Sequence, residues 1–306
     1  MKQPLIIDIK GNSLDDGPGI RSVVFVKGCP LRCDWCQNPE SQKAGPELIY
    51  FKEKCIGCGS CIEVCPEKAI SPDNTYFVDR GLCTGCFKCT DVCPSRALRP
   101  VGKEITVDEI VQEIIPYKSF FETSGGGVTL SGGEPTLFME FSSELLRRLK
   151  GEGIHTLLET CGWFEMERFE ELMLPWLDMI YMDIKIIDPD EHSRRCGVRN
   201  QMILKNFRHL SGLAAAGQVD LLPRTPLIPG VTDTGDRIRD LIGFYIEYGI
   251  SKASLLGYNP IWIDKCGQLG LDSMPGPESE MRKFYDAEQM ETVKSIFYGK
   301  GIRIIE

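Results

Sequence analysis

What this sequence lacks narrows its function first. No apolar run approaches the roughly 20 residues that span a bilayer, which excludes a membrane helix and a membrane partner. No block of Lys and Arg stands out, and the formal net charge is −9, so neutralising nucleic-acid phosphates is not its business. The run PLII at positions 4–7 is too brief for the core of an export signal. What remains is ordinary for a soluble globular protein, with 42% hydrophobic and 26% charged residues. A chain of 306 residues suffices for one large α/β domain, alone or carrying a smaller module.

Cysteine is plentiful, at 14 residues. Without an export signal these thiols are expected in the reducing cytoplasm, where metal binding or redox catalysis is a better use for them than disulfides. Residues 55–70 read CIGCGSCIEVCPEKAI and residues 83–98 read CTGCFKCTDVCPSRAL, two copies offset by 28 positions. Each copy fits C-x₂-C-x₂-C-x₃-C-P, the run with which bacterial ferredoxins hold two [4Fe–4S] clusters, the fourth cysteine of each copy serving the other cluster. On that pattern Cys55, Cys58, Cys61 and Cys93 hold one cluster, and Cys83, Cys86, Cys89 and Cys65 the second. Small residues such as Gly57, Gly59 and Gly85 let a tight loop carry three thiolates around a cube and aim N–H groups at its sulfides. Pro66 and Pro94 then redirect the chain. A pair of zinc knuckles would explain the thiolates but not the eight-cysteine duplication with proline after each fourth position.

Elsewhere short apolar runs alternate with helical patterns. Residues 23–26, 128–130, 154–158, 179–184, 219–222, 253–256 and 302–305 suit buried parallel strands. Phe141, Leu145, Leu146 and Leu149 mark one helical face, and Ile238, Leu241, Ile242 and Tyr245 another. Gly151 and Gly249 stand where helix C-caps fall. Repeated β–α units of this length predict a parallel barrel or a doubly wound sheet, with active residues at the C-terminal ends of its strands. The cysteine-rich stretch interrupts that alternation. It is expected to be an insert at 47–102 in a domain made of 1–46 and 103–306.

A third cysteine group lies outside the insert, in GCPLRCDWCQNP at 28–39. Cys29, Cys33 and Cys36 supply three thiolates, one fewer than a closed site takes. On a four-iron cube they leave one iron without a protein ligand, and an open position is what separates catalytic from structural metal centres.

C-x₃-C-x₂-C with aromatic Trp35 before its last cysteine resembles the radical S-adenosylmethionine (SAM) enzymes. The likeness runs on through SLDDGPGIRSVVFVKGCPLRCDWCQNPES at 13–41, SGGGVTLSGGEPTLF at 124–138, LLETCG at 157–162, MDIK at 182–185, GVRN at 197–200 and IPGVTD at 228–233. Together these resemble the glycyl radical enzyme activating enzymes, in the branch that carries a two-cluster ferredoxin-like insert. The resemblance implies an incomplete parallel (β/α)₆ barrel with the cluster loop after its first strand, and three [4Fe–4S] clusters in all.

The resemblance also assigns roles. Residues 131–134 correspond to the family's GGE element, with Gly132, the Gly133 backbone and Glu134 about the amino group of the methionine part of SAM. No Gly-Lys-Ser/Thr follows, so a phosphate loop is not the reading there. Asp183, Ile184 and Lys185 match the family's SAM-contacting D-x-K; alternation puts Asp183 and Lys185 on one side and Met182 and Ile184 on the other. Trp35, Cys36, Gln37 and Asn259 complete the implied cofactor contacts, although relatives often carry His at the last two. Asp16 in DGPGIR matches a position near the incoming protein loop, with a plain Asp-Gly turn as its rival. Cys161 and Cys196 read as buried inert thiols, Cys266 is left open, and His155, His192 and His209 read as structural.

The activity implied is concrete. A reduced cluster on Cys29, Cys33 and Cys36 cleaves SAM to methionine and a 5′-deoxyadenosyl radical, which takes a Cα hydrogen from one glycine of a partner glycyl radical enzyme. Flavodoxin or ferredoxin would supply the electron. The ferredoxin-like repeat alone would suit an electron-transfer protein, but that leaves the three-cysteine loop and the GGE element unexplained. A radical SAM enzyme acting on a small molecule, or maturing sulfatases, is the other alternative. Maturases typically carry extra cysteines near the C-terminus, where this chain has only Cys266.

Overall fold

The computed structural model describes residues 3–272, 275–276 and 278–305. Ten strands form in the order β1 (Leu5–Ser13), β2 (Arg21–Lys27), β3 (Glu47–Tyr50), β4 (Leu98–Val101), β5 (Gly127–Gly132), β6 (His155–Thr160), β7 (Met179–Asp183), β8 (Asp220–Leu227), β9 (Lys252–Gly257) and β10 (Arg303–Ile304). Helices α1 (Ser60–Glu63) and α2 (Lys88–Asp91) lie between β3 and β4, and α3 (Val107–Ile114) and α4 (Lys118–Ser124) lead into β5. Then α5 (Met139–Gly151), α6 (Met166–Leu172), α7 (Pro189–Cys196), α8 (Gln201–Ala215), α9 (Gly235–Glu247), α10 (Trp262–Leu269) and α11 (Ala287–Tyr298) alternate with the later strands.

The main sheet is ordered β1-β2-β5-β6-β7-β8-β9-β10. Every neighbouring pair is parallel except β1 with β2. Each of the seven apolar runs read from sequence falls on a strand of this sheet. Strand β1 was not foreseen. It is an edge strand whose LIIDIKGNS is half exposed, with register irregularities between Ile6 and Asp8 and between Lys10 and Ser13, so it carries no continuous apolar signal.

Helix α5 buries Phe141, Leu145, Leu146 and Leu149, and α9 buries Ile238, Leu241, Ile242 and Tyr245, the faces their spacing predicts. The cap after α5 differs from expectation. Gly151 is the last helical residue, and the left-handed turn falls on Gly153, at φ 71°. With the sheet parallel, the C-terminal ends of β2 and β5 to β9 open on one side.

Residues 47–101 stand apart from that sheet. Strand β3 pairs antiparallel with β4, from Glu47 opposite Val101 to Tyr50 opposite Leu98. The 28-residue repeat is visible in the backbone. Gly57 and Gly85 both have φ 70°, Gly59 and Phe87 introduce α1 and α2 from left-handed conformations, and Lys68 and Arg96 lie at φ 51° and 53°. This segment has a core of its own in Leu48, Ile70, Val78 and Leu98, packed with Cys61 and Cys89. Arg80 fastens it to the rest, donating to Leu48 O at 2.6 Å and to Gln268 O at 3.1 Å. No helix among the described residues is long and apolar enough to cross a membrane.

Candidate functional site

The loop after β2 is held from two sides. Gly28 N donates to Ser41 O at 2.7 Å, while Arg32 N and Asp34 N donate to Cys196 O and Arg195 O at 2.8 and 3.0 Å. The last carbonyls of α7 are thus satisfied by the cysteine loop and hold it in place. Trp35 is buried with Leu31, Ile186, Tyr258 and Trp262, which anchors the loop between its second and third cysteines.

The glycine turn after β5 packs backbone to backbone on this loop. Gly133 N donates to Val26 O at 2.8 Å and Glu134 N to Gly28 O at 2.7 Å. A Cβ on Gly133 would lie 2.1 Å from Gly28 O, so only glycine permits this approach.

Between loop and turn lies a cavity of about 320 Å³ at the C-terminal ends of the strands. Cys29, Cys33, Cys36, Gly132, Gly133, Asp183 and Lys185 line it, together with Trp35, Gln37 and Asp16. Among the lining residues that sequence reasoning missed are Glu159 and Arg224. They join Asp183 and Lys185 in one chain of charges. Lys185 Nζ lies 2.8 Å from Asp183 Oδ2, Arg224 Nη2 lies 3.1 Å from Asp183 Oδ1, and Arg224 Nη1 pairs with Glu159. Ser131 Oγ donates to the other oxygen of Glu159 at 2.6 Å. The available signal was a charge inside an otherwise mostly apolar strand, in LLET and LLPRTPL.

Burial works against the charges of Asp183, Lys185 and Arg224, and pairing overrules it. Asp183 is pushed up by burial, but the charges of Lys185 and Arg224 hold it below the ordinary Asp range. Burial depresses Lys185 and Arg224, yet Asp183, and for Arg224 Glu159 as well, raise both above their usual values. Asp183, Lys185 and Arg224 therefore stay ionised at neutral pH.

Three implied contacts take another geometry. The Glu134 carboxylate turns into the protein, where Oε1 accepts from Thr136 N, Thr136 Oγ1 and Thr160 Oγ1 and Oε2 accepts from Cys161 N at 2.7 Å. Ile184 is buried in the core, its N–H donating to Arg224 O at 2.8 Å. Asn259 is outside the lining; its backbone oxygen accepts from Gln37 Nε2 at 2.8 Å, and its Oδ1 accepts from Ile261 N.

The leftover thiols are nearer the site than their sequence positions indicated. Cys161 lies beside Cys29, and Cys196 beside Cys33. The neighbouring Cys161 lowers the Cys29 thiol despite burial, whereas the neighbouring Cys196 and burial push Cys33 up, and burial takes Cys36 up to about 12. His192 Nδ1 is bonded to Val198 O at 2.7 Å, His209 pairs with Glu170 on the surface, and His155 lies against Arg21. None of the three histidines lines the cavity.

Two more cavities are lined by the cysteines of the 47–101 segment. One of about 1000 Å³ is lined by Cys55, Cys58, Cys61 and Cys93, and a small one by Cys65, Cys83, Cys86 and Cys89. Among the described residues no three Cys, His or carboxylate groups converge on the spacing of one ion. A single zinc would draw thiolates to about 2.3 Å from its centre, whereas a four-iron cube spreads its ligands around a larger body. Each insert set offers four thiols along one cavity, the donor type a four-iron cube takes.

The profile of the Radical SAM superfamily matches residues 23–242. The chain is 41% identical over 298 residues to the trans-4-hydroxy-L-proline dehydratase activating enzyme of Clostridioides difficile, with 96% of each chain covered. It is 39% identical to the indoleacetate decarboxylase activating enzyme of Tractidigestivibacter scatoligenes, over 95% of this chain and 96% of that one. Against the benzylsuccinate synthase activating enzyme of Thauera aromatica the identity is 38%, over 84% and 83%. Among solved structures, a radical SAM methyltransferase from Sphaerobacter thermophilus shares the fold at a TM-score of 0.51 and 14% identity, covering 99% of this chain and 76% of that one. Fold, cysteine loop and relatives agree on a radical SAM enzyme. Within that superfamily the chain belongs to the glycyl radical enzyme activating enzymes.

Proposed function

We propose that the three cysteine groups hold three [4Fe–4S] clusters, and that the one in the sheet cavity is where SAM is cleaved to activate a partner glycyl radical enzyme. The observation that carries this reading is the division of the eleven cysteines: each predicted ligand set lines its own cavity. On this reading the sheet is the incomplete (β/α)₆ barrel, 1–46 with 103–306, and 47–102 is a ferredoxin-like insert.

When bound, a reduced cluster with one iron free of protein ligands supplies an electron to the sulfonium of SAM and so a 5′-deoxyadenosyl radical. The chain's own residues do the rest. Cys29, Cys33 and Cys36 give three thiolates and leave the fourth position to the amino and carboxylate groups of SAM. The Gly132–Gly133 backbone lets that amino acid end approach closely, and Lys185 and Arg224, each paired with Asp183, are the N–H donors in the lining that a carboxylate would meet. Glu134 acts from behind, fixing Thr160 and Cys161 rather than touching SAM. Gln37, tied to Asn259, closes the other side. The glycine Cα hydrogen ends on 5′-deoxyadenosine and the unpaired electron on the partner.

The insert relays single electrons from flavodoxin or ferredoxin, and the many thiols suit an anaerobic, reducing cytoplasm. The relatives named above serve a dehydratase, a decarboxylase and a synthase, so the shared site reflects the partner's glycine loop and not its reaction. Anaerobic reconstitution is expected to load about twelve irons per chain, and dithionite should then yield 5′-deoxyadenosine. A reproducible loading of about four irons, with the eight insert cysteines open to alkylation, would remove the insert clusters.

A further inference from the structure

We infer that the two insert clusters are not equivalent: the site of Cys55, Cys58, Cys61 and Cys93 adjoins the catalytic loop across α10, and the site of Cys65, Cys83, Cys86 and Cys89 is distal. This rests on the cluster assignments proposed above. The cavity of the Cys55 group is completed by Ile263, Asp264, Gly267 and Gln268, all from α10. The cavity of the Cys83 group is lined by insert residues alone, numbered between 48 and 89.

Helix α10 also rests on the catalytic loop. Lys265 Nζ donates to Gln37 O, Asn38 Oδ1 and Glu40 Oε1 at 2.9, 3.0 and 2.7 Å. Trp262 and Cys266 share a buried apolar cluster with Trp35, against which Cys29 and Cys33 pack. One helix, about 10–12 Å across with its side chains, therefore separates the Cys55 group from the catalytic loop. Arg80 on Gln268 O and Tyr76 on Asp272 Oδ1, at 2.7 Å for the latter, fix the insert in that position.

The route then has one order. With clusters held by these residues, the Cys83 group would take the donor's electron, the Cys55 group would pass it across α10, and the Cys29, Cys33 and Cys36 site would deliver it to SAM. One electron is lost by the donor and one gained by SAM, with each cluster returning to its oxidised state.

The test is electron paramagnetic resonance of the fully reduced protein, with each cluster paramagnetic and neighbouring spins broadening one another's signals. Cys58→Ser and Cys86→Ser, with Cys55→Ala and Cys83→Ala as second choices where a first variant fails to fold, each remove one insert cluster and about four irons. Loss of the Cys55-group cluster is expected to narrow and slow the relaxation of the open-cluster signal, while loss of the Cys83-group cluster leaves it broadened. The reverse pattern, or no change in either variant, overturns the order. If the parent protein holds only about four irons, the cluster assignment falls instead, so the two failures are told apart by iron content.

Discussion

Glu134 accepts a hydrogen bond from the backbone N–H of Cys161 at 2.7 Å, joining the glycine turn after β5 to the end of β6. The same carboxylate holds Thr136 and Thr160, and its surroundings are fully buried. It is a brace between two strand ends before it is anything to a ligand.

Glu134→Ala therefore strands the buried donors it served, each unsatisfied group costing about 1–3 kcal/mol. Urea unfolding should show that loss in the cluster-free chain, with SAM affinity falling only as a consequence. Unchanged stability together with lost SAM binding would return the carboxylate to direct contact with the ligand.

Cys36→Ala should abolish 5′-deoxyadenosine formation under dithionite, because SAM needs the open iron of the Cys29, Cys33 and Cys36 site. Iron content should drop by about four, with the insert signals retained. Continued SAM cleavage in this variant contradicts the assignment of the catalytic loop.

The strands and the three cysteine groups were legible because their signals are local: apolar runs for β2 and β5 to β10, and fixed spacings for the thiols. The charge chain was not. Glu159 and Arg224 lie 65 positions apart, and nothing in LLET or LLPRTPL reveals that β6 and β8 flank β7. The nearness of Cys161 to Cys29 and of Cys196 to Cys33 likewise depends on strand and helix ends meeting in space. Glu134 is the opposite case. Its motif is local, but which way its carboxylate turns is decided by Thr160 and Cys161, 26 and 27 residues on.

Asp183 sets an expected pH dependence. Its carboxyl is held below its ordinary value, mainly by Lys185 and Arg224 against burial. A depressed carboxyl contributes stability that is present above the unfolded-chain value of about 3.9 and lost as pH falls through the lower folded value. Lys185 is raised, so its contribution is complete below about pH 10 and does not alter the acid side. Asp183→Asn should cost about 3 kcal/mol at pH 7, the scale of breaking a buried pair. The gap to the parent chain should narrow only below about pH 4, read by urea unfolding of the cluster-free chain at both pH values. A gap that closes already between pH 7 and 5 would show that Asp183 is not depressed by its partners.

Asp16 separates a docking role from a turn role. It lies at the cavity rim beside exposed Leu14, its carboxylate bonded to Ser13 Oγ and its backbone oxygen accepting from Thr129 Oγ1 at 2.7 Å. The turn it begins is tightly packed, since a Cβ on Gly17, at φ 128°, would lie 2.7 Å from Leu157. Asn supports the same turn and removes only the charge. If Asp16 meets the partner's glycine loop, Asp16→Asn should leave partner-free SAM cleavage unchanged while the KM for the glycyl radical enzyme rises and the radical yield falls. If radical yield and KM both match the parent enzyme, Asp16 is a turn residue. If partner-free cleavage falls as well, the rim turn is shaping the SAM cavity itself, and the contact with the partner must be sought elsewhere on the rim.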